Sequence, residues 1–361
     1  MAEHTLGAAI VGCGGIGHCH ATALTYVPGV RIVGVADVDE ARALGYFRRY
    51  GAEAYYTDPA RLFERADVDL VVVTTANDTH ARLSIQALDA GKHVMVQKPM
   101  ALNMAEADAM VQAAKRSGKK LMVSFFELFH PAFVKAKEIV DKGLIGDVFF
   151  VKAIMAWHMP TVDVWRFDPA ISGGGILMDG HSHHAAFFRW LTGEDALTVY
   201  SEHGTLASNA RVEDTGVTLV RTRRALAELS GSMRLKEPCP QNGRYFKEWI
   251  EIFGTEGTIH IRPTERPSIR VYSEAADVPG TLNGWFSPKL EWVPFEERGR
   301  ALHFNADEDP WTAEHKHFVE CIREDKPVLT DGEFGAKVLE VIQAGYLSMA
   351  EGRRISLPLP R

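Results

Sequence analysis

The sequence predicts an α/β protein: a doubly wound parallel sheet at the N-terminus, then an α+β domain built on an open, mostly antiparallel sheet. Three observations carry this. In the first third, short and continuously apolar runs alternate with segments of helical spacing, the pattern of strands covered on both faces by helices. Past residue 124, strand-like runs follow one another without intervening helices, which points to antiparallel pairing. A glycine-rich turn directly follows the first apolar run, where a doubly wound fold passes from strand to helix.

The elements follow in order. Residues 8–11 (AAIV) are a short buried strand, followed by glycines and a helix over 16–27. Residues 31–36 (RIVGVA) are the second strand, with a helix over 40–50. Residues 69–74 (DLVVVT) are a third, followed by a helix over 79–90. Residues 92–96 (KHVMV) precede a helix over 103–117, and 120–123 close the series. The first domain therefore spans 1–124. In the second, 125–361, residues 130–142 are helical and 148–157 form a long strand. A turn of three glycines at 173–175 leads into an apolar helix over 178–191. Strands are expected at 197–200, 215–221, 248–253, 258–261 and 269–272, then two helices at 311–324 and 332–351.

Composition narrows the function. The 361 residues carry 40 Lys+Arg against 47 Asp+Glu, a net charge of −7, and no block of basic residues. That excludes general binding to nucleic acid or a membrane surface. The 46% hydrophobic content is enough for substantial cores and excludes a disordered or fibrous chain. Cys13, Cys19, Cys239 and Cys321 are too few and too scattered for a disulfide framework or a zinc knuckle. No apolar run approaches the roughly 20 residues of a membrane span, and the N-terminal stretch lacks the pattern of a cleaved signal. The expectation is a reduced, cytoplasmic, soluble protein.

The residues Gly12, Cys13, Gly14, Gly15, Ile16 and Gly17 match G-x-G-x-x-G between a strand and a helix. In that context the first glycine permits the tight turn and the second lets the backbone approach a pyrophosphate. The third allows close helix–strand packing, and the helix N-terminus supplies partial positive charge. This is the fingerprint of a Rossmann dinucleotide-binding domain. Asp37 ends the second strand, where a carboxylate accepts hydrogen bonds from ribose hydroxyls and repels a 2′-phosphate. NAD is thus expected over NADP, with nearby Arg42 the one residue against it.

Two further clusters carry chemistry. Lys98, between Gln97 and Pro99, ends the fourth strand at the mouth of the expected cleft. Proline holds the preceding residue extended. A lysine there binds a substrate hydroxyl or stabilises a developing alkoxide, unless it is merely a solvated strand-end lysine. Asp179 and His183 are four apart in Asp179-Gly180-His181-Ser182-His183-His184, hence on one helical face. An imidazole takes a carbinol proton, and a carboxylate orients it; Asp179 is alternatively a helix cap. The histidine spacing also suits zinc. No second ligand cluster accompanies it and the dinucleotide supplies the redox chemistry, so no metal is expected. His184 falls on another face and is assigned to packing.

These motifs together resemble the Gfo/Idh/MocA oxidoreductases, the family of glucose–fructose oxidoreductase and inositol dehydrogenase. The resemblance covers essentially the whole chain. It rests on the glycine turn, Asp37, TANDTH at 75–80, QKP at 97–99, Trp165-Arg166 with GGGILMDGHSH at 173–183, and SMAEGR at 348–353 with Leu357-Pro358. It implies a large open sheet in the second domain whose outer face mediates dimers or tetramers. It implies NAD(P)-dependent oxidation or reduction of a sugar or cyclitol carbinol. By position, Lys98 matches the family's catalytic lysine, and Asp179 and His183 match its D-x-x-x-H pair, with His183 as acid/base. Thr75, Asn77, His80, Gln97, Lys98, Trp165 and Arg166 fall where relatives contact the cofactor or, for Trp165 and Arg166, the cofactor or substrate.

Three departures stand out. Gln97 replaces the usual glutamate, removing a negative charge beside Lys98, which is expected to lower the lysine's pKa relative to one beside a carboxylate. Phe126-Glu127-Leu128 replaces the family's Asn-x-Arg, and His183-His184-Ala185-Ala186 lacks its acidic tail. The pocket is therefore expected to differ from that of inositol dehydrogenase itself.

For the substrate, Trp157 and His158 end a strand leading to the cleft, and Glu127, His130 and His181 are candidates to join them. Stacking with His/Glu hydrogen bonds suits a carbohydrate ring; sheet packing is the alternative for Trp157. Arg166 is a further substrate contact, and Arg244 with Lys247 suits an anionic substituent unless simply solvated. A net NAD-dependent sugar or polyol dehydrogenase is the first reading. The second is a redox-neutral glycosidase working by transient oxidation, elimination, hydration and re-reduction. The third is a non-catalytic dinucleotide sensor, against which Lys98, Asp179 and His183 argue.

Overall fold

The computed structural model describes residues 5–159, 164–236, 246–263, 265, 268–274, 285–287 and 309–360. By packing, the chain forms two compact units. One holds Met1–Phe129 with Glu297–Ala336, the other His130–Glu296 with Lys337–Arg361.

The first unit is built on six parallel strands: β1 (Leu6–Val11), β2 (Val30–Ala36), β3 (Tyr55–Tyr56), β4 (Leu70–Val73), β5 (His93–Gln97) and β6 (Leu121–Ser124). They lie in the order β3-β2-β1-β4-β5-β6, the doubly wound order that reverses between β1 and β4. Helices α1 (Gly15–Leu24), α2 (Glu40–Tyr50), α3 (Ala60–Phe63), α4 (His80–Asp89) and α5 (Met104–Ser117) connect them. Every residue of β1 and β4 is buried, as continuously apolar strands require. Local signals set the helix ends. Asp39 accepts from the Ala41 and Arg42 N–H groups to start α2, and Gly51 ends it in the left-handed conformation. At α5, Asn103 Oδ1 accepts the Glu106 N–H, and the Glu106 carboxylate accepts from the Leu102 N–H and the Asn103 side-chain amide.

The second unit starts with α6 (Pro131–Asp141), β7 (Val148–Trp157) and the single turn α7 (Pro169–Ser172). A π-helical turn at Leu177–His181 runs into α8 (Ser182–Thr192). The strands β8 (Thr198–Gly204), β9 (Thr215–Arg221), β10 (Leu226–Ser232), β11 (Phe246–Gly254), β12 (Gly257–Ile261), β13 (Ile269–Ser273) and β14 (Trp285–Phe286) follow. With β15 (Ile355–Ser356) and β7 they make a nine-stranded sheet, β14-β13-β12-β11-β7-β10-β9-β8-β15. All neighbours pair antiparallel except β7 and β10, which are parallel. Burial alternates along the strands: in β9, Gly216, Thr218 and Val220 are inside, while Val217 and Leu219 are exposed. β10 has no counterpart in the sequence expectation, because of its inward residues Ala227, Leu229 and Gly231 only the leucine is large, and polar residues alternate with them.

The remaining helices are α9 (Pro310–Arg323) and α10 (Gly332–Glu351). Although α9 lies far along the chain, it packs into the first unit. Phe318 is fully buried in the same apolar cluster as Ala8, Ile10, Val72 and Met95. Trp311 stacks on Phe126 with ring centroids 4.0 Å apart. Thr330 pairs with Val123 through both backbone and side chain, covering the outer edge of β6.

Candidate active site

At the reversal between β1 and β4, the glycine turn sits against the end of β4. Gly12 has φ +101°, and a Cβ there would lie 2.7 Å from the Thr74 carbonyl carbon. A Cβ on Gly17 would lie 2.2 Å from Gly12 O, so this glycine lets α1 close on the strand. At Gly14 and Gly15, by contrast, a Cβ would meet nothing within 4 Å. The start of α1 has no side-chain cap and no acidic residue in its first turn, so no side chain of the N-cap takes up its first N–H groups. That arrangement fits a dinucleotide pyrophosphate. Asp37 ties the turn down: Oδ2 accepts the Cys13 N–H at 2.7 Å and Oδ1 the Asp39 N–H at 2.9 Å. Each oxygen keeps a second lone pair for a ribose hydroxyl.

Lys98 is half-buried just past β5, and its backbone is held on both sides. Before it, Gln97 is buried, and its amide Nε2 lies 2.7 Å from His20 Nε2 and 3.1 Å from Ser124 Oγ. Ser124 Oγ in turn donates to Glu314 Oε2 at 2.8 Å, and His20 Nδ1 lies 2.8 Å from His315 Nε2. Burial pushes the Glu314 carboxyl up to about 8 and the His315 imidazole down to about 3. After it, the Pro99 carbonyl lies 2.8 Å from His80 Nδ1, while His80 Nε2 lies 3.1 Å from Thr75 O. Both partners of His80 are acceptors, so a neutral ring donates to one at a time. Burial holds its pKa below the usual range against the pull of those two carbonyls.

In the second unit the glycine run carries Asp179 and His183 into place. A Cβ on Gly174 would lie 1.8 Å from Tyr346 Oη, and one on Gly175 would lie 1.8 Å from Glu213 O. Into this close packing Glu213 Oε1 accepts the N–H groups of Gly175 (2.9 Å) and Leu177 (3.1 Å) and the Tyr346 hydroxyl (2.8 Å). The helix start is thereby anchored to the sheet. The next turn is π-helical, an insertion that recurs at functional sites. Asp179 is half-buried within that turn, and His183 is 8% exposed in the first turn of α8. The Trp157 ring packs on the same turn, 3.2 Å from where a Gly180 Cβ would be.

Two family models match the chain in succession. The first, described as an oxidoreductase family with an NAD-binding Rossmann fold, covers residues 6–125; the second, the GFO/IDH/MocA C-terminal domain, covers residues 133–260. Inositol 2-dehydrogenase of Rubrobacter xylanophilus is 30% identical over 263 residues, 72% of each chain. The chain belongs to the Gfo/Idh/MocA oxidoreductases. It is similar over nearly its whole length to scyllo-inositol 2-dehydrogenase (NAD(+)) of Bacillus subtilis strain 168, with 28% identity across 99% of this chain and 98% of the relative. Among solved structures, GenD2 from gentamicin A biosynthesis, in complex with NAD, superposes with a TM-score of 0.81 at 26% identity, covering 99% of this chain and 98% of that one.

Within this Gfo/Idh/MocA oxidoreductase, the glycine turn, Asp37, Thr75, Asn77, His80, Gln97, Lys98 and Glu127 lie in the first unit. Thr75 and Asn77 are half-buried in the segment after β4. Two of these residues have inward commitments: Gln97 Nε2 meets His20 and Ser124, and both His80 ring nitrogens face backbone carbonyls, one of which the neutral ring bonds at a time. Glu127 is 9% exposed in a short 3-10 turn after β6. In the second unit, Trp157 ends β7, His158 follows it in an isolated bridge to Arg234, and Arg166 lies over the Trp165 ring at 4.5 Å. His130 caps α6 by accepting the Ala132 N–H. His181, a candidate for the pocket, is instead fully buried at 3.1 Å from Thr218 Oγ1, with burial pushing its pKa down to about 3. His184 packs inside against Glu248, as expected. Lys247 sits over the Trp249 ring, and Arg244 lies outside the described residues. Among the described residues no group of three or more His, Cys, Asp or Glu could hold a metal, and no helix is long and apolar enough to cross a membrane. The residues that sequence reasoning missed are Ser124, Glu314, His20 and His315 beside Gln97, and Glu213 with Tyr346 under the glycine run. Only Ser124 left a signal: it and Gln97 are polar ends of two neighbouring apolar strands, paired in register.

Proposed function

We propose that this oxidoreductase is an NAD-dependent dehydrogenase acting on a carbinol of a sugar, sugar derivative or cyclitol. The observation that carries the reading is Lys98: a half-buried lysine at the carboxyl end of β5, two strands from β1 and its glycine turn, with the residues on either side of it tied down. The names of the two relatives, both inositol dehydrogenases, support the substrate class. In this reading Lys98 donates a hydrogen bond to the carbinol oxygen and stabilises the negative charge that develops there. His183 takes the hydroxyl proton, and Asp179 orients the imidazole or the substrate. NAD, when bound, would supply the acceptor for the hydride of the carbinol carbon. Gly12, Gly14, Gly15, Ile16 and Gly17 hold the pyrophosphate, and Asp37 holds the ribose and favours NAD over NADP. Thr75, Asn77, Trp165 and Arg166 border the cofactor, while Glu127, Trp157, His158 and Arg166 line the substrate side. Protomers associate through the outer face of the second sheet, where Tyr200, Val217 and Leu219 stand exposed. The buried free thiols Cys13, Cys19 and Cys321 suit a reducing cytoplasm.

The test is incubation of the purified protein with NAD and a panel of inositols, sugars, sugar acids and glycosides. Accumulation of NADH with a carbinol substrate is expected. Lys98→Ala and His183→Ala are each expected to lower turnover by at least about a hundredfold with NAD binding nearly intact. Release of an aglycone without net NADH, or binding with no turnover across the panel, would replace this reading.

A further inference from the structure

We propose that Glu314 is a positioning residue for Lys98, acting from α9 through Ser124 and Gln97. The proposal rests on the reading of Lys98 as catalytic. Four side chains form one line: Glu314 Oε2, Ser124 Oγ, Gln97 Nε2 and His20 Nε2, at 2.8, 3.1 and 2.7 Å in turn. Gln97 is 7% exposed and the other three are fully buried, so no bulk water competes for these bonds.

Chemistry gives the line a direction. A hydroxyl, a carboxamide and an imidazole each donate and accept, so none of the three sets the orientation of its neighbours. Glu314 is the one end that draws a proton toward itself. Its Oε2 accepts from Ser124 when the carboxyl is ionised and when the proton sits on Oε1, which is buried without a partner; a proton on Oε2 itself would reverse that bond. Ser124 has a single hydroxyl proton, and once that is given to Glu314 its oxygen accepts from the Gln97 amide. The amide's second N–H then goes to His20 Nε2, whose Nδ1–H donates to His315 Nε2. Without Glu314 the serine hydroxyl turns freely and the amide is able to flip, because each neighbour accepts either orientation. Gln97 is the last residue of β5 and Ser124 the last of β6, paired in register. The amide therefore fixes the strand end from which Lys98 departs.

The same logic accounts for glutamine at 97. Two ionised acids there would compete for one hydroxyl, whose single proton serves only one carboxylate. The buried line takes one acid, and in this chain α9 supplies it. Asp309, the cap of α9, is the other acidic group acting on Glu314, and the Phe125 N–H also faces it.

The experiment uses the full-length protein with NAD present. One readout is kcat on the best substrate of the panel above, well below the melting temperature. The other is the rate at which acetic anhydride acetylates Lys98, read by mass spectrometry, which does not depend on Lys98 being catalytic. Gln97→Glu is expected to change both by about tenfold, and Gln97→Glu/Glu314→Gln to return both to within about threefold of the unmodified chain. Glu314→Gln alone is expected to lower kcat by about tenfold and to have no further effect in a Ser124→Ala background. Effects that simply multiply in the double variants, or unchanged acetylation throughout, overturn the proposal. If Gln97→Glu does not fold, the Ser124→Ala and Glu314→Gln pair decides the question alone. A Lys98→Ala enzyme with normal turnover would instead remove the catalytic reading, leaving the coupling to stand or fall on acetylation.

Discussion

Asp37 shows how much one side chain does at the cofactor end. Its two oxygens hold the Cys13 and Asp39 N–H groups and so fix both the glycine turn and the start of α2. Asp37→Asn keeps the size but replaces one acceptor with a donor and removes the charge. We expect NAD affinity to fall by about tenfold, equivalent to about 1.4 kcal/mol for a charge-assisted hydrogen bond. NADP affinity should rise relative to NAD, because a 2′-phosphate no longer meets a carboxylate. Titration of the two cofactors by fluorescence checks this, and an unchanged NAD:NADP ratio would count against the assignment. Motif reading singles out Asp37, Lys98 and the glycines because their residue types are dictated by backbone shape or charge. It does not see that Gln97 and His80 turn inward. A motif names a residue, whereas the direction of its polar atoms depends on partners far away in sequence, such as Glu314 for the Gln97 line.

Helix α9 brings a buried acid and a buried imidazole into the first unit, and their burial leaves a signature in stability. Glu314 has a folded pKa raised from 4.5 to about 8. Between those values the folded chain keeps a proton that the unfolded chain has released, so stability falls as pH rises through that window. His20 and His315 act oppositely: burial lowers both from 6.5, His315 to about 3. Below 6.5 the unfolded chain binds protons that the folded one refuses, and stability falls as pH falls. The two effects oppose each other in acid, while between about pH 6.5 and 8 the Glu314 effect acts without the histidines. The melting temperature is expected to decline with rising pH across that interval, and Glu314→Gln to flatten the decline. Calorimetry of both proteins over a pH series measures it, and a slope unchanged by the substitution would contradict it. Elements were legible where apolar periodicity is long, as in β4, α2 and α5. The short β3 and α3, and β10 with its mostly small inward side chains, fall below what periodicity resolves.

For the molecule as a whole, the two kinds of sheet were legible because helices either alternate with strands or do not. The nine-stranded sheet leaves one side of β9 in solvent with Val217 and Leu219 exposed between strands that carry charge. Leu219→Glu is expected to shift the protein toward monomer in analytical ultracentrifugation, with NAD binding retained. A mass unchanged by the substitution would remove this face from the assembly. What the sequence did not reveal is that residues 309–336 pack with the first unit. An amphipathic helix shows that it has a partner, but its periodicity does not say which surface that partner is.

That arrangement bears on how the protein is made. Domains emerging from a ribosome fold as units, the N-terminal one first. Here Phe318 and Val319 are inside the apolar clusters of the first unit, and Thr330 pairs with the edge of β6. Until those residues leave the exit tunnel, the strands of the nascent first unit lack part of their cover and one edge stays open to pairing. The unit that carries the glycine turn starts to be made long before the segment that completes it, and it is finished only when α9 and Thr330 have emerged.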